Sequence, residues 1–209
     1  GELTETLTAA KTAVVPTYGT DGRVTIRRGS HLGQIVIKID SAKFLADASR
    51  TLPKFVIPLR LTDGNGTDLI AGKETSVIGV RYENMLFGNY WHGGETVVTD
   101  ASGAEVNRIA YYTTVPQSET RVWTLTTVAP FSLTSNAVGG ELNGSKAQLK
   151  LTQGADGAIT VSAADGADYA VEADGECSFN RAKLVQNRRI YLKYKYEKDG
   201  LIYHATDTL

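Results

Sequence analysis

A lone cysteine, Cys177, leaves this chain without an intrachain disulfide or a thiolate zinc cluster, and it is expected as a small core residue rather than a reactive thiol. Apolar runs are equally scarce. None reaches the roughly 20 residues that cross a bilayer, and no charged-then-apolar leader opens the sequence. Charge of one sign is missing too: the formal net charge is −1, with no lysine or arginine block long enough to neutralise a series of phosphates, which excludes a nucleic-acid footprint. His31, His92 and His204 lie far apart and outside any His-Glu-x-x-His spacing, so no metal site is expected. There is no Gly-x-Ser-x-Gly elbow and no Walker loop, and Gly64-Asn65-Gly66 lacks the strand-then-helix setting of a phosphate loop. No nucleophile, metal or acid-base pair can be assembled, so a non-catalytic protein without a cofactor is expected.

What remains is β. A hydrophobic fraction of 42% and a charged fraction of 22% are ordinary for a soluble globular fold. Short alternating runs rich in Val, Ile, Thr and Tyr are separated by Gly, Asp and Asn. Strands are expected at Val24 to Ile26, Gln34 to Ile39, Phe55 to Leu61, Ser76 to Tyr82, Val97-Val98, Ile109 to Thr114 and Arg121 to Thr127. Others follow at Ala147 to Leu151, Ala158 to Val161, Tyr169 to Val171, Arg188 to Tyr196 and Leu201 to His204. One helical turn, Ser41 to Ala48, is expected, with Ser41 as its cap. A break near Glu83 to Phe87 divides the chain into a β-sandwich-like domain, 1–86, and an antiparallel up-and-down barrel, 87–209.

The last hairpin is the clearest element. Ile190, Leu192, Tyr194 and Tyr196 share one face, Arg189, Tyr191, Lys193 and Lys195 the other, and Lys198-Asp199-Gly200 supplies the turn. Asp-Gly recurs at 156, 165 and 174, but without the Gly-Gly-x-Gly-x-Asp pattern of a calcium β-roll, so successive tight hairpins are expected. Asp63, Asn65 and Asp68 sit at another hairpin tip whose spacing departs from a calcium loop. The acidic stretch 156–176 and the basic stretch 181–198 are expected to complement each other across adjacent strands.

Aromatics carry the functional signal. Tyr90, Trp91 and His92 lie between glycines, Tyr111 and Tyr112 point to opposite faces of one strand, and Trp123 is centred in another. Such rings offer a face for stacking on a sugar or acyl chain and a polar edge for hydrogen bonding. Tryptophan is mostly buried, so Trp91 and Trp123 are expected first as core plugs, with Tyr90 and His92 opposite Trp91.

Val24 to Ser30, Gly33 to Asp40 and Leu52 to Leu59 together resemble the N-terminal domain of surface lipoproteins of Bacteroidetes whose function is unknown. Gly88 to Gly94 and the closing Arg189 to Tyr196 and Tyr203 to Leu209 resemble the barrel-like, lipocalin-like domain that accompanies it. Gly88-Asn89-Tyr90-Trp91 is similar to the lipocalin Gly-x-Trp opening, with Trp91 one place late, and this implies Arg188 or Arg189 packed over that ring. The resemblance further implies an exported protein tethered to the outer membrane by a lipid, its signal and anchor outside these residues, beside glycan-uptake machinery and possible surface-complex proteins. Glycan binding is the expected function. The alternative is a lipocalin-like binder of a small apolar or lipid-like ligand, which requires an open barrel.

Overall fold

The structure, a computed structural model, describes residues 26, 28–31, 37–111, 121–140, 142–144 and 146–209. It is nearly all β and divides into two compact units, Gly1–Tyr82 and Glu83–Leu209.

In the first unit, helix α1 (Ser41–Ala46) is capped by Asp40, whose Oδ1 accepts from the Ala42 and Lys43 amides at 3.1 Å each. The cap falls one residue before the expected Ser41, because the Asp40 carboxylate reaches the unpaired amides of the first turn. Buried Phe44 meets Phe55 edge-on, the ring centroids 5.3 Å apart, and Ile39, Val80 and Tyr82 pack around the pair. Strand β1 (Phe55–Arg60) runs antiparallel to β2 (Thr75–Val80), in the register Phe55↔Val80. At the tip between them, Asp63 Oδ1 accepts from the Asn65 amide at 2.8 Å. The strands expected at 24–26 and 34–39 fall largely outside the described residues.

The second unit holds β3 (Gly88–Thr99), β4 (Glu105–Tyr111), β5 (Arg121–Ala129), β6 (Ser132–Thr134), β7 (Ala137–Val138) and β8 (Leu142–Asn143). After them come β9 (Leu149–Gln153), β10 (Ile159–Ala163), β11 (Val171–Ala173), β12 (Ser178–Phe179), β13 (Ile190–Lys198) and β14 (Leu201–Thr208). The chain meanders. β3 pairs with β4 and, nearer its start, with β5; β5 pairs with β6, β6 with β9 and β9 with β10. β11 and β12 follow one another along β13, β13 pairs with β14, and β14 returns to β3. Between β10 and the β11–β12 edge, the ring is held by the Ala158↔Ser178 bridge and the Ile159 amide on the Cys177 carbonyl at 3.0 Å. Pairing of sequential neighbours therefore makes a nearly closed antiparallel barrel in up-and-down order. β7 and β8 form a separate small hairpin between β6 and β9.

Along β13, residues 190, 192, 194 and 196 face the core, and Asp199 and Gly200, both at positive φ, form the two-residue turn to β14. Asp174-Gly175 departs from the expected hairpin. It interrupts one edge strand, because β11 on one side of it and β12 on the other both pair with β13. Cys177 follows this interruption, buried, its Sγ accepting from the Lys193 amide at 3.2 Å. Acidic and basic stretches meet as expected in Lys195–Glu172 at 3.2 Å and Arg181–Asp156 at 3.3 Å. Trp123, Leu125, Leu133, Leu149, Leu151 and Leu192 fill the interior with essentially no exposure. A small barrel of this kind is a packed core.

Candidate functional site

The phase of β3 decides which aromatic rings can meet a ligand. At Gly94 an added Cβ would lie 2.0 Å from the Thr206 carbonyl oxygen, so only glycine lets β3 approach β14 there. In this register Thr96 and Val98 point inward, and period two then carries His92 inward and Trp91 outward. Trp91 is 61% exposed, whereas Trp123 is 2% exposed. The first differs from the expected core plug; the second fills that role. The cross-strand pairs show the same split. Trp91 opposes exposed Val122, and half-buried Tyr90 opposes Trp123.

Outside the barrel, Trp91 stands in a groove of about 490 Å³ formed by the start of β3, the turn before β13 and the end of β14. Phe87 and Val185, both exposed, add apolar surface, and Asn89 and Gln186 bring amide groups. Arg188 and Arg189 line the same groove. Arg188 donates through Nη1 to the Met85 carbonyl and through Nε to the Ala182 carbonyl at 3.4 Å. Arg189 donates through Nη1 to the carbonyls of Gln186 at 3.2 Å and Arg188 at 2.7 Å. Tyr90 donates its phenol to the Leu86 carbonyl at 3.0 Å, and its burial raises its pKa above that of a free phenol despite the nearby Arg188 charge. Among the described residues the guanidinium that sits over a ring is Arg121 on Tyr111, at 5.7 Å, and not Arg188 or Arg189 on Trp91 as expected.

Inside the barrel, the structure brings His92, Tyr111 and Trp123 together. The His92 ring lies 4.5 Å from Tyr111 and 4.2 Å from Trp123, centroid to centroid. They surround buried Asp207, which accepts from Tyr111 through Oδ1 and from Tyr194 through Oδ2, each at 2.5 Å. His92 Nε2 stands 3.0 Å from Oδ1, an ion-pair distance, but without hydrogen-bond geometry. The Gly139 amide donates to the Tyr194 oxygen at 2.7 Å, and the Gly140 amide to Thr96 Oγ1 at 3.4 Å, which in turn lies 3.0 Å from the Tyr111 oxygen. Both donor chains run from these two amides toward one carboxylate. Burial first, then the Asp207 charge and the hydrogen bond donated to it, hold the Tyr111 and Tyr194 phenols well above their ordinary pKa. The carboxylate accepts from both phenols, and the cluster has no face open to solvent.

Tyr112 lies outside the described residues. Asp207, Tyr194, Thr96 and the two glycines of the interior cluster were not anticipated. Asp207 had a sequence signal: it shares the inward phase of β14 with Tyr203, Ala205 and Leu209, where a carboxylate needs buried partners. Gln186 and Val185 had none.

No family model and no curated protein matches the chain. Among solved structures, a protein of unknown function from Bacteroides ovatus matches with a TM-score of 0.64 and 20% identity, over 92% of this chain and 68% of the other. A multidomain protein including DUF1735 from the same organism gives 0.46 and 14%, over 92% of this chain and 67% of the other. An auxiliary nutrient binding protein from Bacteroides thetaiotaomicron gives 0.43 and 17%, over 93% and 66%. Only the first is near enough to show a shared fold. The structural neighbours are thus Bacteroides proteins, chiefly of unknown function, and this chain spans about two thirds of the length of each.

Proposed function

We propose that this chain is a non-catalytic carbohydrate-binding protein of the bacterial cell surface, tethered to the outer membrane by a lipid and serving as accessory to a glycan-uptake system. The observation that carries this reading is the exposure of Trp91 in a groove whose volume falls within the roughly 300–1,000 Å³ of small-ligand clefts. A tryptophan face stacks on the C–H face of a sugar ring, and Asn89 and Gln186 supply the amides that hydroxyl groups need. The location rests on the sequence resemblance. The alternative, a small apolar ligand held within the barrel, loses support because side chains occupy that interior.

Isothermal titration of the whole chain against a panel of neutral and acidic polysaccharides tests the proposal. Binding is expected with at least one of them, and Trp91→Ala should remove it while the unfolding midpoint stays unchanged. Heat with none of the polysaccharides, or binding unaffected by Trp91→Ala, would overturn it.

A further inference from the structure

The side-chain charge around Trp91 is of one sign. Of the residues lining its groove, Arg188 and Arg189 are charged and no Asp or Glu side chain joins them. Two other arginines of the same unit pair with carboxylates: Arg108 with Glu95 and Glu105, Arg181 with Asp156. Arg188 and Arg189 have no side-chain carboxylate partner among the described residues; their guanidinium groups donate to backbone carbonyls, and Arg188 also lies against the Tyr90 phenol. Those carbonyls fix where the planar groups lie and leave other N–H donors of each fork unspent. A chain of net charge −1 has no general attraction for polyanions, so this local positive charge beside an exposed ring is specific to the groove.

We infer that the saccharide bound across Trp91 carries an anionic substituent, a carboxylate or a sulfate, that pairs with Arg188 and Arg189. This rests on the carbohydrate-binding reading and narrows it to acidic glycans. Stacking on Trp91 places a sugar ring at the groove wall, and the guanidinium forks match the paired oxygens of a carboxylate or sulfate on that ring. A neutral sugar offers these forks no charged partner.

Titrations of the whole chain against polygalacturonate, a sulfated galactan and a neutral galactan separate the two anion types from each other and from a neutral chain. Binding to at least one acidic polymer is expected, with neutral galactan much weaker. Arg189→Gln should weaken it about ten- to hundredfold, as the loss of a charge-assisted hydrogen bond does. Arg188→Gln, checked for folding because it also removes the tie to Met85, gives a second reading of the same contact. Raising the salt should weaken binding further. Lys198→Gln, at the opposite end of β13, should change nothing. Equal affinity for neutral galactan overturns the acidic class and leaves the carbohydrate reading standing. An acidic preference that neither arginine variant reduces, or one that Lys198→Gln reduces equally, overturns the pairing with Arg188 and Arg189. No heat with any of these polymers or with the wider panel overturns both.

Discussion

Trp91 and His92 are neighbours in one strand and occupy opposite media. One side of β3 presents an exposed ring beside two arginines without a side-chain carboxylate partner; the other buries a histidine at 0% exposure between two rings and a carboxylate. The difference shows where polar groups are enclosed and where they are available. Inside, both phenols and two backbone amides are directed toward Asp207, so the cluster specifies the barrel's packing. Outside, the guanidinium groups keep donors for a ligand. The interior should therefore govern stability and the groove should govern binding.

The sharpest way to break that division is to exchange the fates of the two tryptophans. Trp123→Ala removes a ring that fills the core and stacks on His92, and should destabilise the protein by about 3–5 kcal/mol, as large-to-small core substitutions do. Urea unfolding followed by circular dichroism measures this; a change under about 1 kcal/mol would show that the interior is not the packed core described.

Alkaline pH probes the interior without mutation. The Tyr111 and Tyr194 pKa values are raised in the folded state, so above about pH 10 the unfolded chain releases phenolic protons that the folded chain retains. Stability should be complete below that pH and fall above it by about 1.4 kcal/mol per pH unit for each of the two tyrosines. Tyr169, pushed up to about 12 by burial and then by the Asp168 charge, acts in the same direction. Urea midpoints between pH 8 and 11.5 follow the loss, and Tyr194→Phe should make it shallower. An unchanged slope in that variant would remove Tyr194 from the account.

A smaller effect is expected at the loop that feeds this cluster. A Cβ at Gly140 would lie 2.6 Å from the Tyr111 ring, which cannot withdraw without leaving Asp207. Gly140→Ala should cost about 1–3 kcal/mol in thermal or urea unfolding. A neutral result would mean that the loop moves aside freely.

The barrel was legible because its strands alternate cleanly where one face is apolar, as in Ile190 to Tyr196, and because Asp199-Gly200 is a strong turn signal. Phase was harder to read in β3. Tyr90-Trp91 and Val97-Val98 each place apolar residues on both faces, so neither pair fixes which one points inward. The deciding contact, Gly94 against the Thr206 carbonyl, joins strands that are distant in sequence. The interior cluster was half visible: His92, Tyr111 and Trp123 stood out as aromatic, but Asp207 reaches them only through the pairing of β14 with β3. Of the groove, Trp91 and the two arginines could be named. Val185 and Gln186 could not, since their place comes from the turn before β13.

The smallest stability change should come from the residue with the largest effect on binding. Trp91→Ala removes an exposed side chain whose cross-strand partner, Val122, is also exposed, so its loss opens no cavity and should shift stability by no more than about 0.5 kcal/mol. Trp91 and Trp123 are the chain's two tryptophans, which makes fluorescence a direct measurement of both. In the Trp91→Ala protein the remaining emission should come from a buried ring, blue-shifted and poorly quenched by iodide. In the Trp123→Ala protein, where it folds, the emission should be red-shifted and strongly quenched. An acidic glycan added to the parent protein should then protect the quenchable component alone. Protection of the buried component instead would move the ligand from the outer face of β3 to the barrel interior.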